Sequence, residues 1–380
     1  MDFSSKLPNL ETTIFTVMSA LANQYNALNL SQGFPNFDSD PKLINLVTKA
    51  MQSGFNQYAP MLGNPALRKG ISQKMESLYG VTYNPDSEIV ITVGASQAIF
   101  SIICAFVKPD DEVIIFRPAY DCYEPAIELN GGKAISVQMK HPKYSIDWKE
   151  VEQKINAATR MIIINSPHNP SGQIFSKQDM LELERLTEGT DILVLSDEVY
   201  EHIIFDNEQH QSACLFKGLR SRSFITASFG KTFHNTGWKT GYCCAPRELL
   251  EEVLKVHQFS VFSVNHPMQA ALSEYIKTPK NYLHLSSFYQ EKRDLFLSLI
   301  KDSRFKTLPS KGTYFQVLDY SEISQENDIK FAKRMTVENK LASIPMSVFN
   351  ENKEDYKVLR FCFAKTDETL KRAADIINAI

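Results

Sequence analysis

The middle of this chain alternates short strand-like runs, several of them nearly continuously apolar, with helical stretches, and few architectures accommodate that pattern. The runs are Ile89–Val93, Glu112–Phe116, Lys133–Val137, Met161–Asn165, Ile192–Ser196, Phe224–Ser228 and Gly241–Ala245. A strand with one face in water alternates apolar and polar residues, whereas an unbroken apolar run is buried on both faces. Between the runs, Ala95–Val107 and Ser176–Leu186 read as helices, with Ser176 a candidate N-cap. Buried strands joined through helices predict an α/β fold with a mostly parallel central sheet flanked by helices. In such sheets ligands sit beyond the carboxyl ends of the strands.

The pattern changes further along. Residues 247–300 read as helical. Strand patterns return at Thr313–Leu318, Leu341–Ile344 and Lys357–Phe363, with helices over Asp328–Asn339 and from Asp367 onward. This predicts a smaller α+β domain at 281–380 beside a large domain at 41–280, with residues 1–40 an arm packing on the small domain. A length of 380 residues fits about two domains. The 41 basic and 44 acidic residues give a net charge of −3, without the basic bias of a nucleic-acid binder. The apolar stretch Ala98–Val107 is about half a bilayer span, so no membrane association is expected. The N-terminus lacks the basic start and apolar run of a secretory signal. The six cysteines are scattered and form no C-x-x-C pair, which fits a reducing cytoplasm and no metal centre.

Four motifs stand just after strands. Ser228-Phe-Gly-Lys231 places a lysine at a strand end, with Lys239 eight residues on. A lysine there, partly desolvated and near another cation, is a candidate Schiff-base former. Asn165-Ser-Pro-His-Asn169-Pro-Ser-Gly172 is a turning loop held by proline and glycine. Ser196-Asp197-Glu-Val-Tyr200 puts an acid where it can face a cationic nitrogen. Val93-Gly-Ala95-Ser96-Gln turns a strand into a helix whose free N–H groups suit an anion. Each motif alone also reads as an ordinary turn, cap or solvated loop. Together they supply what one cofactor needs. Pyridoxal 5'-phosphate brings an aldehyde for a lysine, a pyridine nitrogen for an acid, a ring oxygen for donors, and a phosphate.

The order Gly-Ala-Ser-Gln, Asn-Pro-x-Gly, Asp-x-x-Tyr, Ser-x-x-Lys-x7-Lys resembles the class I aminotransferases of fold type I over nearly the whole chain. The resemblance implies that Lys231 forms the Schiff base and moves protons. It implies that Asp197 keeps the pyridine nitrogen protonated, and that Tyr200 and Asn169 hydrogen-bond the ring oxygen. Tyr120 would stack on the ring, and Ala95, Ser96, Ser228 and Lys239 would bind the phosphate. Lys239 departs from the arginine that many members carry there, and so offers a point charge without a fork. Tyr58, in Asn56-Gln-Tyr-Ala-Pro, would reach the phosphate of a neighbouring subunit, making the protein a homodimer with shared active sites. Arg360, in an apolar strand, matches the arginine that grips the substrate carboxylate. Gly33 and Phe15 would line the substrate pocket, with Asn169 beside them.

Thr12-Thr-Ile-Phe-Thr and Asn29-Leu-Ser-Gln-Gly-Phe-Pro further resemble the bacterial methionine aminotransferases and their kynurenine and glutamine aminotransferase relatives. That implies a large uncharged amino acid and a 2-oxo acid as substrates, in ping-pong order. A carbon–sulfur β-lyase on the same fold is the alternative, since fold does not separate the two chemistries. A cofactor-binding regulator is a third, but the enzyme pattern leaves no stretch for a DNA-binding domain.

Overall fold

The computed structural model describes residues 4–8 and 10–380. Its large sheet has seven strands: β1 (Ile89–Thr92), β2 (Glu112–Arg117), β3 (Lys133–Gln138), β4 (Thr159–Asn165), β5 (Leu193–Asp197), β6 (Ser223–Ser228) and β7 (Gly241–Cys244). Their spatial order is β1-β7-β6-β5-β4-β2-β3. All neighbours pair in parallel except β7, which runs antiparallel to both β1 and β6. The fold is the expected mostly parallel sheet flanked by helices.

Alternate residues of each strand enter different cores. Ile162 and Ile164 of β4 face one apolar cluster, while Met161 and Ile163 face the other. Val113 and Ile115 of β2 pack with Ile99, Ile102 and Ile103 of the helix Gly94–Phe106. Burial on both faces is the physical reason buried strands such as Ile89–Thr92 and Thr159–Asn165 read as nearly unbroken apolar runs, which the partly exposed edge strand Lys133–Gln138 does not.

A second, antiparallel sheet joins Ile344–Pro345, Val358–Cys362, Phe315–Asp319 and Lys306–Thr307 in that order. Leu28–Asn29 pairs in parallel with Leu341–Ala342, so a piece of the first forty residues lies on these later elements. That pairing corrects the expectation of a single strand over Leu341–Ile344. Its two ends serve different sheets, with buried Ser343 between them. The helical region 247–300 is also broken, into Arg247–Ser260, His266–Tyr275, Lys280–Leu283 and Leu285–Leu299. Phe262 has φ +65° in the first gap, and prolines sit at 267 and 279.

Candidate active site

Because β7 is the one reversed strand, β1, β2, β4, β5 and β6 all end on the same side of the sheet. Their carboxyl ends carry Gly94, the Pro118–Tyr123 turn, Asn165, Asp197 and Ser228. Register aligns the ends: Asn165 is opposite Asp197, Asp197 opposite Thr226, and Ser228 opposite Gly241. Gly241 lets β7 enter between β6 and β1. A Cβ there would lie 2.6 Å from the Ala227 oxygen and 2.8 Å from the Gly94 carbonyl carbon.

These ends enclose a cavity of about 190 Å³. Ala95, Ser96, Tyr120, Asn169, Asp197, Tyr200, Ser228, Lys231 and Lys239 all line it. Nine residues chosen from four separated motifs and the Tyr120 turn therefore converge on one space. Arg360, Gly33 and Phe15 are not among its lining residues: Arg360 and Gly33 connect to it through hydrogen bonds with Asn169 and Lys231, and Phe15 only through the Arg360 guanidinium. The Arg360 guanidinium donates from Nη1 to Asn169 Oδ1 at 2.7 Å and from Nη2 to the Ser31 carbonyl at 3.1 Å. It lies 3.9 Å from the ring centre of Phe315 and 5.1 Å from that of Phe15. Lys231 Nζ donates to the Gly33 carbonyl at 3.2 Å, and Tyr314 donates to the same oxygen at 2.6 Å. Tyr58 does not line the cavity either. It is 80% exposed, with its ring edge-on to Phe262.

The donor set fits a phosphorylated pyridine. The helix Gly94–Phe106 begins without a side-chain cap, so the first-turn amides of Ala95 and Ser96 are free for an anion. Gly94, at φ +67°, brings this backbone against Lys239, whose Nζ a Cβ would meet at 3.2 Å. Asp197, also lining the cavity, is buried, with Tyr123 donating to its Oδ2 at 2.6 Å and the Val199 amide to Oδ1 at 3.4 Å. Burial pushes its carboxyl up to about 6, against the pull of Tyr123, the Val199 amide and the Lys231 charge. Burial, with the positive charges of Arg360 and Lys239, brings the Lys231 amine down to about 8. Burial also lowers Arg360, to about 10, so it stays a cation at neutral pH. Its Nε–H is buried without an acceptor among the described residues, so the guanidinium has donor capacity to spare for a carboxylate.

Local chemistry holds these groups in place. Asn165 donates to the Asp197 carbonyl at 2.9 Å and accepts from the Asn169 amide at 2.8 Å, tying two motifs together. Gly172, at φ +74°, closes the Asn169 loop where a Cβ would lie 2.6 Å from Ser310 Oγ. Behind the Asp197–Tyr200 turn, Glu201 takes an ion pair from Lys74 and hydrogen bonds from Tyr79 at 2.8 Å and Tyr242 at 3.1 Å. Glu198 accepts from Ser196 Oγ at 2.7 Å and the Ala213 amide at 3.0 Å, with His210 Nε2 2.7 Å away. Sequence reasoning has Asn165 only as the start of a turning loop and gives no role to Thr236 or Tyr123. Tyr123 stands in the same turn as Tyr120, but nothing in the sequence ties it to an aspartate 74 residues on.

A parallel sheet whose strand ends carry a buried lysine, a buried aspartate and an anion cradle defines a pyridoxal-phosphate enzyme of fold type I. Residues 25–377 match the family described as Aminotransferase class I and II, and the chain belongs to it: it is a PLP-dependent aminotransferase. It is 46% identical to the methionine aminotransferase of Escherichia coli K12, over 99% of this chain and 98% of that protein. The human kynurenine–oxoglutarate transaminase 3 is 32% identical, over 99% of this chain and 90% of that protein. A crystal structure of an Escherichia coli protein reported to have a methionine aminotransferase function superposes with a TM-score of 0.98, at 45% identity and with both chains fully covered. Its amino-acid and 2-oxo-acid substrates follow from the family. No helix among the described residues is long and apolar enough to cross a membrane.

Proposed function

We propose that this enzyme moves the amino group of methionine, and of aromatic amino acids or glutamine, to a 2-oxo acid in a ping-pong sequence. The observation that carries the reading is the convergence of Lys231, Asp197 and Asn169 on one cavity, with Arg360 donating to Asn169 from outside its lining. The Escherichia coli relative named methionine aminotransferase supports the donor.

The coenzyme, when bound, supplies an aldehyde that condenses with amines and a protonated ring that accepts the electron pair left when Cα loses its proton. Lys231 holds it covalently, then acts as the base and acid that moves the Cα proton. The burial that lowers this amine, to about 8 in the coenzyme-free protein, suits it to both roles. Asp197 pairs with the ring nitrogen and keeps it protonated. Tyr200 and Asn169 bond the ring oxygen, and Tyr120 covers one face. Ala95, Ser96, Ser228 and Lys239 hold the phosphate, with Tyr58 of a second subunit completing that end. Arg360 orients Cα by gripping the α-carboxylate, with Asn169 fixing the fork and Gly33 leaving room. The enzyme acts as a homodimer in the cytoplasm, with an arm at 1–40, a large domain at 41–280 and a small domain at 281–380.

The test is a panel of amino donors against oxo-acid acceptors. Methionine is expected to be among the fastest donors, with parallel double-reciprocal lines. Pyruvate and ammonia released from cystathionine faster than any amino transfer would instead establish the lyase chemistry.

A further inference from the structure

Among the residues near Asp197 that neither the motifs nor the family resemblance assigned, Tyr123 has the most definite geometry. Tyr123 is the first residue of the helix Tyr123–Leu129, 3% exposed, with its ring edge-on to Tyr120 at 5.8 Å between centres. A phenylalanine would fill the same space. The hydroxyl adds one thing, the 2.6 Å hydrogen bond to Asp197 Oδ2. Burial and the Asp197 charge push the phenol up, so it stays protonated and donates. The other donor to this carboxylate, the Val199 amide, is longer at 3.4 Å.

We infer that Tyr123 is a positioning residue: its phenol holds the Asp197 carboxylate ionised and aimed into the cavity, and so governs how firmly the enzyme retains its coenzyme through the ring nitrogen. The inference rests on the aminotransferase reading of the cavity. An aspartate this buried favours its neutral form, and a neutral carboxyl cannot hold a pyridinium. A donor on one carboxylate oxygen favours the charged form and restricts carboxyl rotation at once. The other titratable groups facing Asp197 are Lys231, Glu198, Tyr120 and Cys122. Glu198 is engaged with His210, Ser196 and the Ala213 amide. Tyr123 is therefore the side chain whose removal changes the Asp197 hydrogen bonding without altering net charge.

The experiment compares holoenzymes. Tyr123→Phe should weaken coenzyme retention about tenfold by equilibrium titration, a loss of about 1.4 kcal/mol. It should also move the acid limb of kcat about one unit to higher pH, because losing a donor to the carboxylate makes it protonate sooner. The KM of the amino donor should hold. Tyr144→Phe removes a buried hydroxyl that has no hydrogen-bond partner among the described residues and should change none of these readouts. In an Asp197→Asn background, Tyr123→Phe should alter retention less than about twofold, since the charged acceptor is gone. Retention within twofold of the parent for Tyr123→Phe alone overturns the inference, as does an equal loss in both backgrounds. Lys231→Ala serves as the separate check on the cavity reading: if it keeps the parent's coenzyme absorbance, that reading fails rather than the role of Tyr123.

Discussion

Arg360→Met removes the proposed carboxylate grip while keeping most of the side chain's apolar volume. The structure sets the size of the effect. Arg360 is 1% exposed, and two of its N–H groups already hold Asn169 Oδ1 and the Ser31 carbonyl. A substrate carboxylate would meet a desolvated cation already fixed in place, where each charge-assisted hydrogen bond contributes about 1.5–3 kcal/mol. Losing a pair of them costs about 3–6 kcal/mol, or a fall in kcat/KM of roughly a hundredfold to ten-thousandfold. The same change leaves Asn169 Oδ1 and the Ser31 oxygen short of a donor, at about 1–3 kcal/mol of stability each. Thermal unfolding must therefore be followed beside kinetics. The assay is the single-turnover half-reaction with methionine, repeated with the corresponding amine that lacks the α-carboxylate. The expected result is a large loss for methionine and almost none for the amine. A folded Arg360→Met enzyme whose kcat/KM for methionine stays within threefold of the parent would refute the assignment.

The Lys231 amine, lowered to about 8, is protonated below that pH and a free nucleophile above it. Capture of added coenzyme by the coenzyme-free protein, followed by stopped-flow absorbance, should therefore rise with pH and level off just above 8. A rate still climbing at pH 10 would show an ordinary lysine. Lys74→Met strands Glu201 as a buried charge and should cost about 3–5 kcal/mol, read by denaturant unfolding; an unchanged midpoint would mean that the Glu201 network bears little on stability. Mixing Lys231→Ala chains with Tyr58→Ala chains should give activity above the sum of the two parents. Each mixed dimer regains one intact site, about a quarter of all sites after random exchange. No gain on mixing would place Tyr58 outside the neighbouring site.

The large sheet was legible because burial on both faces writes itself into composition: Met161–Ile164 is apolar at every position whichever core each residue enters. Partner choice leaves no such mark. Leu341–Ala342 and Ile344–Pro345 read as one strand because both are buried and apolar, yet one pairs with Leu28–Asn29 and the other with Val358–Cys362. The direction of β7 was equally silent, although that reversal puts Lys239 beside Gly94. The site residues were legible where a motif at a strand end concentrated unusual polar types, as at Asn165–Gly172 and Ser228–Lys231. Tyr123 was not, because its role is a hydrogen bond across 74 residues and its sequence context is that of any aromatic at a helix start.

The account depends most on Lys231 as the covalent anchor of the coenzyme. Reducing the holoenzyme with borohydride and mapping its peptides by mass spectrometry tests this directly. The added coenzyme mass should fall on the peptide holding Lys231; label on Lys239 or another lysine, with Lys231 unmodified, would contradict it.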